Sequence, residues 1–157
     1  MRIVSAILVA SLAAATTSAS IDMPQDLVDQ AKGANRVAVA TVTDVASAFA
    51  VNEFGDQLIV SQVSFRVEET MKGPAQATVD VMVEGGTVGD LTLEVSDLPR
   101  MERGKRAVLF LTSAPDGRQV PYRRGAGLLE LSADNRVTGT GLTVDDIRAA
   151  VRAAAGR

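Results

Sequence analysis

The sequence predicts a mainly β fold, an antiparallel barrel or sandwich with a short helix near its N-terminus and a second helix at its C-terminus. Three observations predict it. Short segments rich in β-branched residues recur along the chain, most of them alternate apolar and polar residues, and glycine and proline separate them. No long helical pattern joins consecutive segments, so the parallel strands of βαβ units are not expected.

The first twenty residues form a separate segment. One positive charge, Arg2, precedes an apolar run from Ile3 to Ala15, and small polar residues follow. This three-part pattern is typical of a secretory signal peptide, and the apolar run is too short for a membrane span. We therefore predict a signal peptide over residues 1–19, cleavage after Ala19, and a single domain over residues 20–157.

The remaining composition restricts the class of protein. About 138 residues remain after cleavage, enough to bury a sizeable core. Loss of Arg2 leaves 15 basic residues against 19 acidic ones, a net charge of −4 that argues against binding to nucleic acid or anionic membranes. The chain has no cysteine, so its stability must come from apolar burial. Abundant alanine, and arginine in excess over lysine, are typical of a GC-rich bacterial genome. With the predicted signal peptide, we expect a secreted or periplasmic bacterial protein.

Residues 21–35 predict the N-terminal helix. Asp22 is placed to cap this helix, Pro24 suits its first turn, and Gly33 can end it. Its apolar face comprises Leu27, Val28 and Ala31.

Seven strands are predicted next, at residues 36–45, 57–71, 77–83, 91–95, 106–112, 127–132 and 136–140. The alternating segments place one face inward, comprising Ile59, Val63, Phe65, Val67, Val79, Val81 and Val83. The segment 91–95 repeats this alternation. The segment "RAVLFLT" at 106–112 is continuously apolar, which is the mark of a strand buried on both faces.

The last segment predicts a helix that packs on the sheet. Thr143 stands three residues before Asp146, an acidic variant of the capping box. The apolar stripe that follows comprises Val144, Ile147, Val151 and Ala154, with Arg148 and Arg152 outside it.

The glycine cluster Gly85–Gly89 raises the question of a nucleotide site. A phosphate-binding loop opens a helix whose N-terminal amides face the anion, and it usually carries lysine. Here a strand pattern follows, no lysine is near, and Asp90 would repel a phosphate. We interpret the cluster as a flexible connection between strands.

Other chemistry is limited by the residues available. Without histidine or cysteine, Ser-His-Asp and Cys-His catalysis are impossible, and the usual zinc and haem sites are lacking. A Ser-Lys pair would need Lys32, Lys72 or Lys105, which we expect to be solvated at the ends of elements. Neighbouring carboxylates occur at Glu68–Glu69, at Asp145–Asp146 and at Glu84 with Asp90. No cofactor or metal is predicted.

Two surface segments are candidates for protein binding. The predicted loop 47–56 carries Phe49 and Phe54, and the segment "VPYRRGAG" carries Tyr122, Arg123 and Arg124. Tyrosine and arginine are favoured at the energetic centres of interfaces. In the competing interpretation the phenylalanines tuck under their loop and the arginines are solvated.

The segments "VSFRVEETMKGPAQATVDVMV" and "DLPRMERGKRAVLFLT" carry a family resemblance. Over roughly residues 36–113 the chain resembles small, functionally uncharacterised secreted bacterial proteins and, more distantly, netrin-like and TIMP-like domains. The resemblance implies an OB-like barrel with flanking helices, in a variant form because no helix is evident between the third and fourth strands. TIMP-type inhibitors present a disulfide-tethered cysteine to a protease zinc, so their mechanism does not extend to this chain.

The leading functional prediction is an exported, non-catalytic domain that binds another exported protein, such as a protease. The alternative is a small-ligand or carbohydrate-binding module, although an aromatic content of 3% offers few rings for stacking. An enzyme based on carboxylate chemistry ranks third. The oligomeric state is left open.

The signal-peptide interpretation predicts that the exported protein begins at Ser20, or within one or two residues of it. N-terminal sequencing of the mature protein measures this directly. Soluble, folded protein that retains Met1 would contradict the interpretation.

Overall fold

The computed structural model describes residues 25–52 and 54–156. In chain order its elements are α1 (Gln25–Gly33), β1 (Arg36–Val51), β2 (Gln57–Lys72), β3 (Thr78–Glu84), β4 (Gly86–Val88), β5 (Leu91–Leu93), β6 (Arg106–Ser113), β7 (Gln119–Pro121), a 3₁₀ turn (Arg124–Gly127), β8 (Leu128–Leu131) and α2 (Val144–Ala155). The predicted mainly β fold, with one helix near each end, is confirmed. The predicted signal peptide at 1–19, and Asp22 and Pro24, lie outside the described residues.

Six strands form one sheet in the order β1-β2-β3-β7-β6-β8, while β4 and β5 form a separate pair. β1 also pairs with β6. The series of hydrogen-bonded neighbours that starts at β1 and passes through β2, β3, β7 and β6 therefore ends at β1 again. The neighbours are antiparallel, except that β3 and β7 meet in parallel at Val81 and Gln119. The pairing is therefore antiparallel with one parallel contact.

Strand β6 is buried on both faces, as its continuous apolar sequence predicts. Val108 and Phe110 project into a helix-side core with α1 and α2. Leu109 and Leu111 project into a sheet-side core with β2 and β3. All four side chains are 0% exposed, so this strand separates and fills two apolar clusters at once.

The two helices pack together against the helix-side core. The predicted apolar face of α1, comprising Leu27, Val28 and Ala31, is buried. In α2 the predicted capping box is present: the Thr143 hydroxyl accepts from the Asp146 amide at 3.3 Å, and the Asp146 carboxylate accepts from the Thr143 amide at 2.8 Å. None of the helices among the described residues is long and apolar enough to cross a membrane.

The structure corrects the predicted loop at 47–56. Strand β1 runs to Val51 and β2 begins at Gln57, so only residues 52–56 separate the two strands. The segment "SAFAV" alternates small and large residues and belongs to the strand. The pairing of β1 with β2 shows this, since it continues as far as Val51 and Gln57. The result is a long β1–β2 hairpin.

Two other predicted strands differ from the structure. The segment 136–140 is not a strand and makes only isolated bridges, Leu131 with Val137 and Arg136 with Thr143, because Asn135 and Gly139 have positive φ and turn the chain. The segment 91–95 forms β5 in its first three residues only, outside the main sheet.

Alanine at Leu109 should lower the free energy of unfolding by about 2–5 kcal/mol, because it leaves a cavity in the sheet-side core. Denaturant titration of the full chain measures this loss. Leu91→Ala is the matched control, since Leu91 is 61% exposed, and it should change stability by less than about 0.5 kcal/mol. Equal effects of the two substitutions would contradict the burial of β6.

Candidate functional site

The large hydrophobic side chains that are exposed in the described part of the chain all lie on two hairpins. The β1–β2 hairpin carries Phe49 (46% exposed), Val51 (69%) and Phe54 (81%), and the β4–β5 hairpin carries Leu91 (61%) and Leu93 (36%). The two hairpins pack on each other, because β4 contacts β1 and β2 and β5 contacts β2. We call these five residues the hairpin surface. Exposed apolar residues grouped on neighbouring hairpins are typical of interaction sites.

The tip of the β1–β2 hairpin is held by Asn52. Its side-chain oxygen accepts hydrogen bonds from the amides of Phe54, at 3.0 Å, and Asp56, at 2.8 Å. The Asn52 amide also donates to the Asp56 carbonyl at 3.0 Å. This Asx-type turn is a common use of asparagine in tight connections. Phe49 and Phe54 are 46% and 81% exposed, so the competing interpretation, in which both phenylalanines tuck under their loop, does not hold.

The outer half of β1 has a neighbour on one side only. Strand β6 pairs with β1 from Arg36 to Thr41, and β1 pairs with β2 along its whole length. From Thr43 to Val51 no residue of β1 is buried. Among the described pairings, the stretch beyond Asp44 therefore presents an open strand edge.

The glycine cluster places the β4–β5 hairpin against β1 and β2. Strand β4 begins within the cluster and β5 follows it, so the segment opens onto a strand and not onto a helix. A Cβ at Gly86 would lie 2.2 Å from the Ser61 hydroxyl and 2.4 Å from the Ser47 hydroxyl. Glycine is therefore required by close approach as well as by a φ of +131°. The predicted flexible connection is a hairpin seated on two serines.

The two serines form a short hydrogen-bonded chain under that hairpin. Ser61 is buried and donates its proton to the Gly85 carbonyl at 2.6 Å. Ser47 lies 2.8 Å from Ser61, and it is the donor because the single proton of Ser61 is already engaged. Both hydroxyls thus have structural partners, and neither adjoins a base that would activate it as a nucleophile.

A cavity of about 550 Å³ lies between the two hairpins. Its walls mix hydroxyl, carboxylate and aliphatic groups, and none of the described residues that line it is aromatic. A second space, a groove of about 390 Å³, lies across β1, β2, β3 and β7. Its lining is mainly apolar and includes Val51, Leu58, Val60, Met82, Val120 and Pro121. Both volumes are in the range of small-molecule pockets.

The predicted surface residues Tyr122, Arg123 and Arg124 lie in different environments. Tyr122 is half-buried against the helix-side core, where its hydroxyl would lie 2.1 Å from a Cβ at Gly33. Arg123 stacks over the Tyr122 ring at 5.5 Å. Arg124 lines the groove beside Val51 and pairs with Glu84 at 2.8 Å and Asp97 at 3.4 Å. Tyr122 is thus a packing residue, and Arg124 is the one of the three that lines the groove bordering the β1–β2 hairpin.

The neighbouring carboxylates are held by arginines on separate sides of the sheet. Glu68 pairs with Arg106 at 2.8 Å and Glu69 pairs with Arg148 at 2.7 Å. Hydrogen bonds from these guanidinium groups lower the pKa of both carboxyls below the usual value for glutamate. A general acid needs the opposite shift, so this pair is arranged for structure.

Three of the four other candidate carboxylates also have structural partners. Asp146 belongs to the capping box and Asp145 pairs with Arg148, while Glu84 pairs with Arg124. Within residues 25–52 and 54–156, no group of three or more acidic residues could hold a metal ion.

One of the three lysines, Lys72, is not the solvated charge that the sequence predicts. The Lys72 ammonium donates to the carbonyls of Ala31 at 2.8 Å, Lys32 at 2.9 Å and Ala34 at 2.6 Å. It therefore caps the C-terminal end of α1, where the helix dipole favours a cation. Lys105 pairs with Glu130 at 2.7 Å.

Comparison with known proteins finds no family model that matches the chain and no curated protein that matches it. The functional interpretation therefore depends on the geometry of this molecule.

Sequence reasoning found Phe49 and Phe54 but missed Val51, Leu91 and Leu93. Val51 fell inside a predicted loop, and the two leucines fell on the inward face of a predicted strand. The signal that could have found the leucines is the pair of glycines before β4, since positive φ at Gly85 and Gly86 turns the chain out of the main sheet.

Alanine at Gly86 should destabilise the protein by about 2–4 kcal/mol, because it strains φ and collides with Ser47 and Ser61. Gly89→Ala is the matched control: its φ is +58° but nothing lies within 4 Å, so the loss should be about 1 kcal/mol. Urea titration distinguishes the two. Equal losses would mean that the β4–β5 hairpin is not seated on the serines.

Proposed function

We propose that the protein is an exported, non-catalytic domain that binds another protein through the hairpin surface. One observation carries the proposal: the exposed large hydrophobic residues of the described chain are confined to two adjacent hairpins. Scattered apolar residues would need no explanation, whereas their confinement to two adjacent hairpins favours a partner. The five side chains are also uncharged, as residues at the centre of an interface usually are.

The fold that we propose for this domain is an OB-like barrel, a variant related to netrin-like and TIMP-like domains. The return of the pairing from β6 to β1 and the parallel contact between β3 and β7 support closure of the sheet. The five strands concerned would be β1, β2, β3, β6 and β7. In such barrels the loops and one sheet face serve as the binding surface, which agrees with a partner site on the β1–β2 hairpin.

Export is the second part of the proposal. The leader pattern at residues 1–19 supports a secreted or periplasmic location in a bacterium, and the partner would then be another exported protein. The absence of cysteine fits a domain whose stability comes from the two apolar cores.

The assignment as non-catalytic follows from how the polar groups are used. The neighbouring carboxylates other than Asp90 pair with arginines or cap a helix. The two serines under the β4–β5 hairpin, Ser47 and Ser61, bond each other and a carbonyl. The chain contains no histidine or cysteine that would supply another base or nucleophile.

A small-ligand module is the second candidate, and the cavity of about 550 Å³ favours it. Its polar wall would suit a ligand with hydroxyl groups. The lining that the structure describes lacks aromatic side chains, on which sugar rings stack in most carbohydrate sites. We therefore place protein binding first.

The experiment is site-specific photo-crosslinking in the envelope and medium of the source bacterium. A photoreactive amino acid at Phe54 should crosslink the exported protein to a distinct partner, because this side chain is 81% exposed at the hairpin tip. The same group at Arg152, exposed on α2, is the control and should give no such product. Val51→Asp should lower the yield at Phe54 by about tenfold, since it charges the apolar surface.

Equal crosslinking from both positions, or none from Phe54, would contradict binding through the hairpin surface. Saturable binding of a small hydroxylated ligand, abolished by Thr92→Leu in the cavity wall, would favour the second candidate.

A further inference from the structure

We infer that the open edge of β1, from Val45 to Val51, pairs antiparallel with the same edge of a second copy of this chain. The inference goes beyond the proposed function, because it assigns a second copy to the edge of β1 and leaves the hairpin tip and the β4–β5 hairpin to the other partner. It would make the protein a two-fold symmetric dimer with a continuous sheet across the interface.

The open edge begins at the point on β1 beyond which no described segment other than β2 bonds to its backbone. Val42 still exchanges backbone hydrogen bonds with the turn before β6, donating to Lys105 and accepting from Gly104, both at 2.8 Å. Arg103 then pairs with Asp44 at 2.6 Å. Beyond Asp44 the described pairings of β1 are with β2 alone, so alternate amides and carbonyls face outward along the strand.

This edge lacks the usual protections against pairing. Proteins guard open edges with charged residues, proline or very short strands, and the stretch "VASAFAV" has no charge and no proline over seven residues. On the outer face the side chains of Ala46, Ala48 and Ala50 are too small to hinder a second strand. An edge of this kind is a template for strand addition.

The sequence of the edge is nearly palindromic, and this selects a second copy over an unrelated strand. With a two-fold axis at Ala48, Val45 lies opposite Val51 of the second copy, Ala46 opposite Ala50, and Ala48 opposite itself. Ser47 lies opposite Phe49 of the second copy. A two-fold interface requires such self-complementarity, and no like charges oppose each other in this register.

The register also accounts for the exposed apolar side chains of β1. Phe49 and Val51 are on the same face of the strand as Val45 and Ser47, since residues alternate between faces. In the dimer each of these side chains gains a cross-strand neighbour from the second copy, and such pairs are the unit of sheet stabilisation. Phe54 at the tip and the β4–β5 hairpin lie outside the seven paired residues.

The test uses Ala48, which lies on the proposed two-fold axis. Ala48→Lys places two ammonium groups opposite each other and should raise the dimer dissociation constant at least about tenfold. Ala48→Glu should do the same. An equimolar mixture of the two variants should dimerise again, because opposite charges then meet. Sedimentation equilibrium over a range of concentrations measures all three, and Gln76→Lys, exposed in the loop between β2 and β3, controls for added charge.

Folding of the variants is not in question at this site, because Ala48 is exposed; circular dichroism checks it. A wild-type chain that stays monomeric at every concentration, or an Ala48→Lys variant that dimerises like wild type, would overturn the inference. A mixture no more dimeric than its components would contradict the register centred on Ala48.

A cysteine at position 48 gives a second measurement, since the chain has no other cysteine. Opposed residues on antiparallel strands lie within disulfide reach, so Ala48→Cys should oxidise rapidly to a covalent dimer and Gln76→Cys should not. A partner crosslinked through Phe54 without any dimer would overturn this inference and leave the proposed function standing. A dimer without such a partner would do the reverse.

Discussion

Burial of β6 on both faces is the constraint on which the rest of the molecule depends. Val108 and Phe110 hold the two helices on one side, while Leu109 and Leu111 fill the core on the other. A strand used in this way needs neighbours along both edges, and β1 supplies one of them from Arg36 to Thr41. Because β6 has 8 residues and β1 has 16, the remaining half of β1 has no such neighbour and projects with β2 as a hairpin.

The charged residues strengthen this arrangement where the helices meet the sheet. Arg148 on α2 pairs with Glu69 on β2, and Arg106 on β6 pairs with Glu68, which is also on β2. Lys72 at the end of β2 caps α1. Each pair joins elements that are distant in sequence. These charges lie around the described core, while the hairpin surface is uncharged, so the molecule has a polar, internally paired region and an apolar region that lacks internal partners.

The sequence predicts the parts of the fold that local pattern determines. The alternation of "VSFRV", the unbroken apolar run of β6 and the Thr143 capping box each locate an element within a few residues. Pattern does not determine which strands become neighbours. Leu91 and Leu93 alternate as a core strand would, yet glycines with positive φ carry them out of the main sheet. Strand β7 has only three residues and ends in proline, which is too little signal for prediction.

The candidate site was likewise predictable from the sequence only where local pattern determines it. Phe49 and Phe54 were recognisable as unusual residues, since the chain has four phenylalanines in all. Tyr122 looked similar but is packed against Gly33, a contact across the fold that no local pattern records. The open edge of β1 depends on strand pairing. It exists because the pairing of β6 with β1 ends at Thr41, and it can be recognised only when the pairing of every strand is known.

Residue-resolved hydrogen–deuterium exchange of dilute protein tests this account most directly, because it reports which amides of β1 have a partner. We expect slow exchange at nearly every position from Val37 to Thr41, where β1 lies between β2 and β6. From Val45 to Val51 we expect slow and fast amides to alternate, since only those that face β2 are bonded. Uninterrupted slow exchange through Val51 in the dilute monomer would show that the edge is covered within one chain, and would contradict the account.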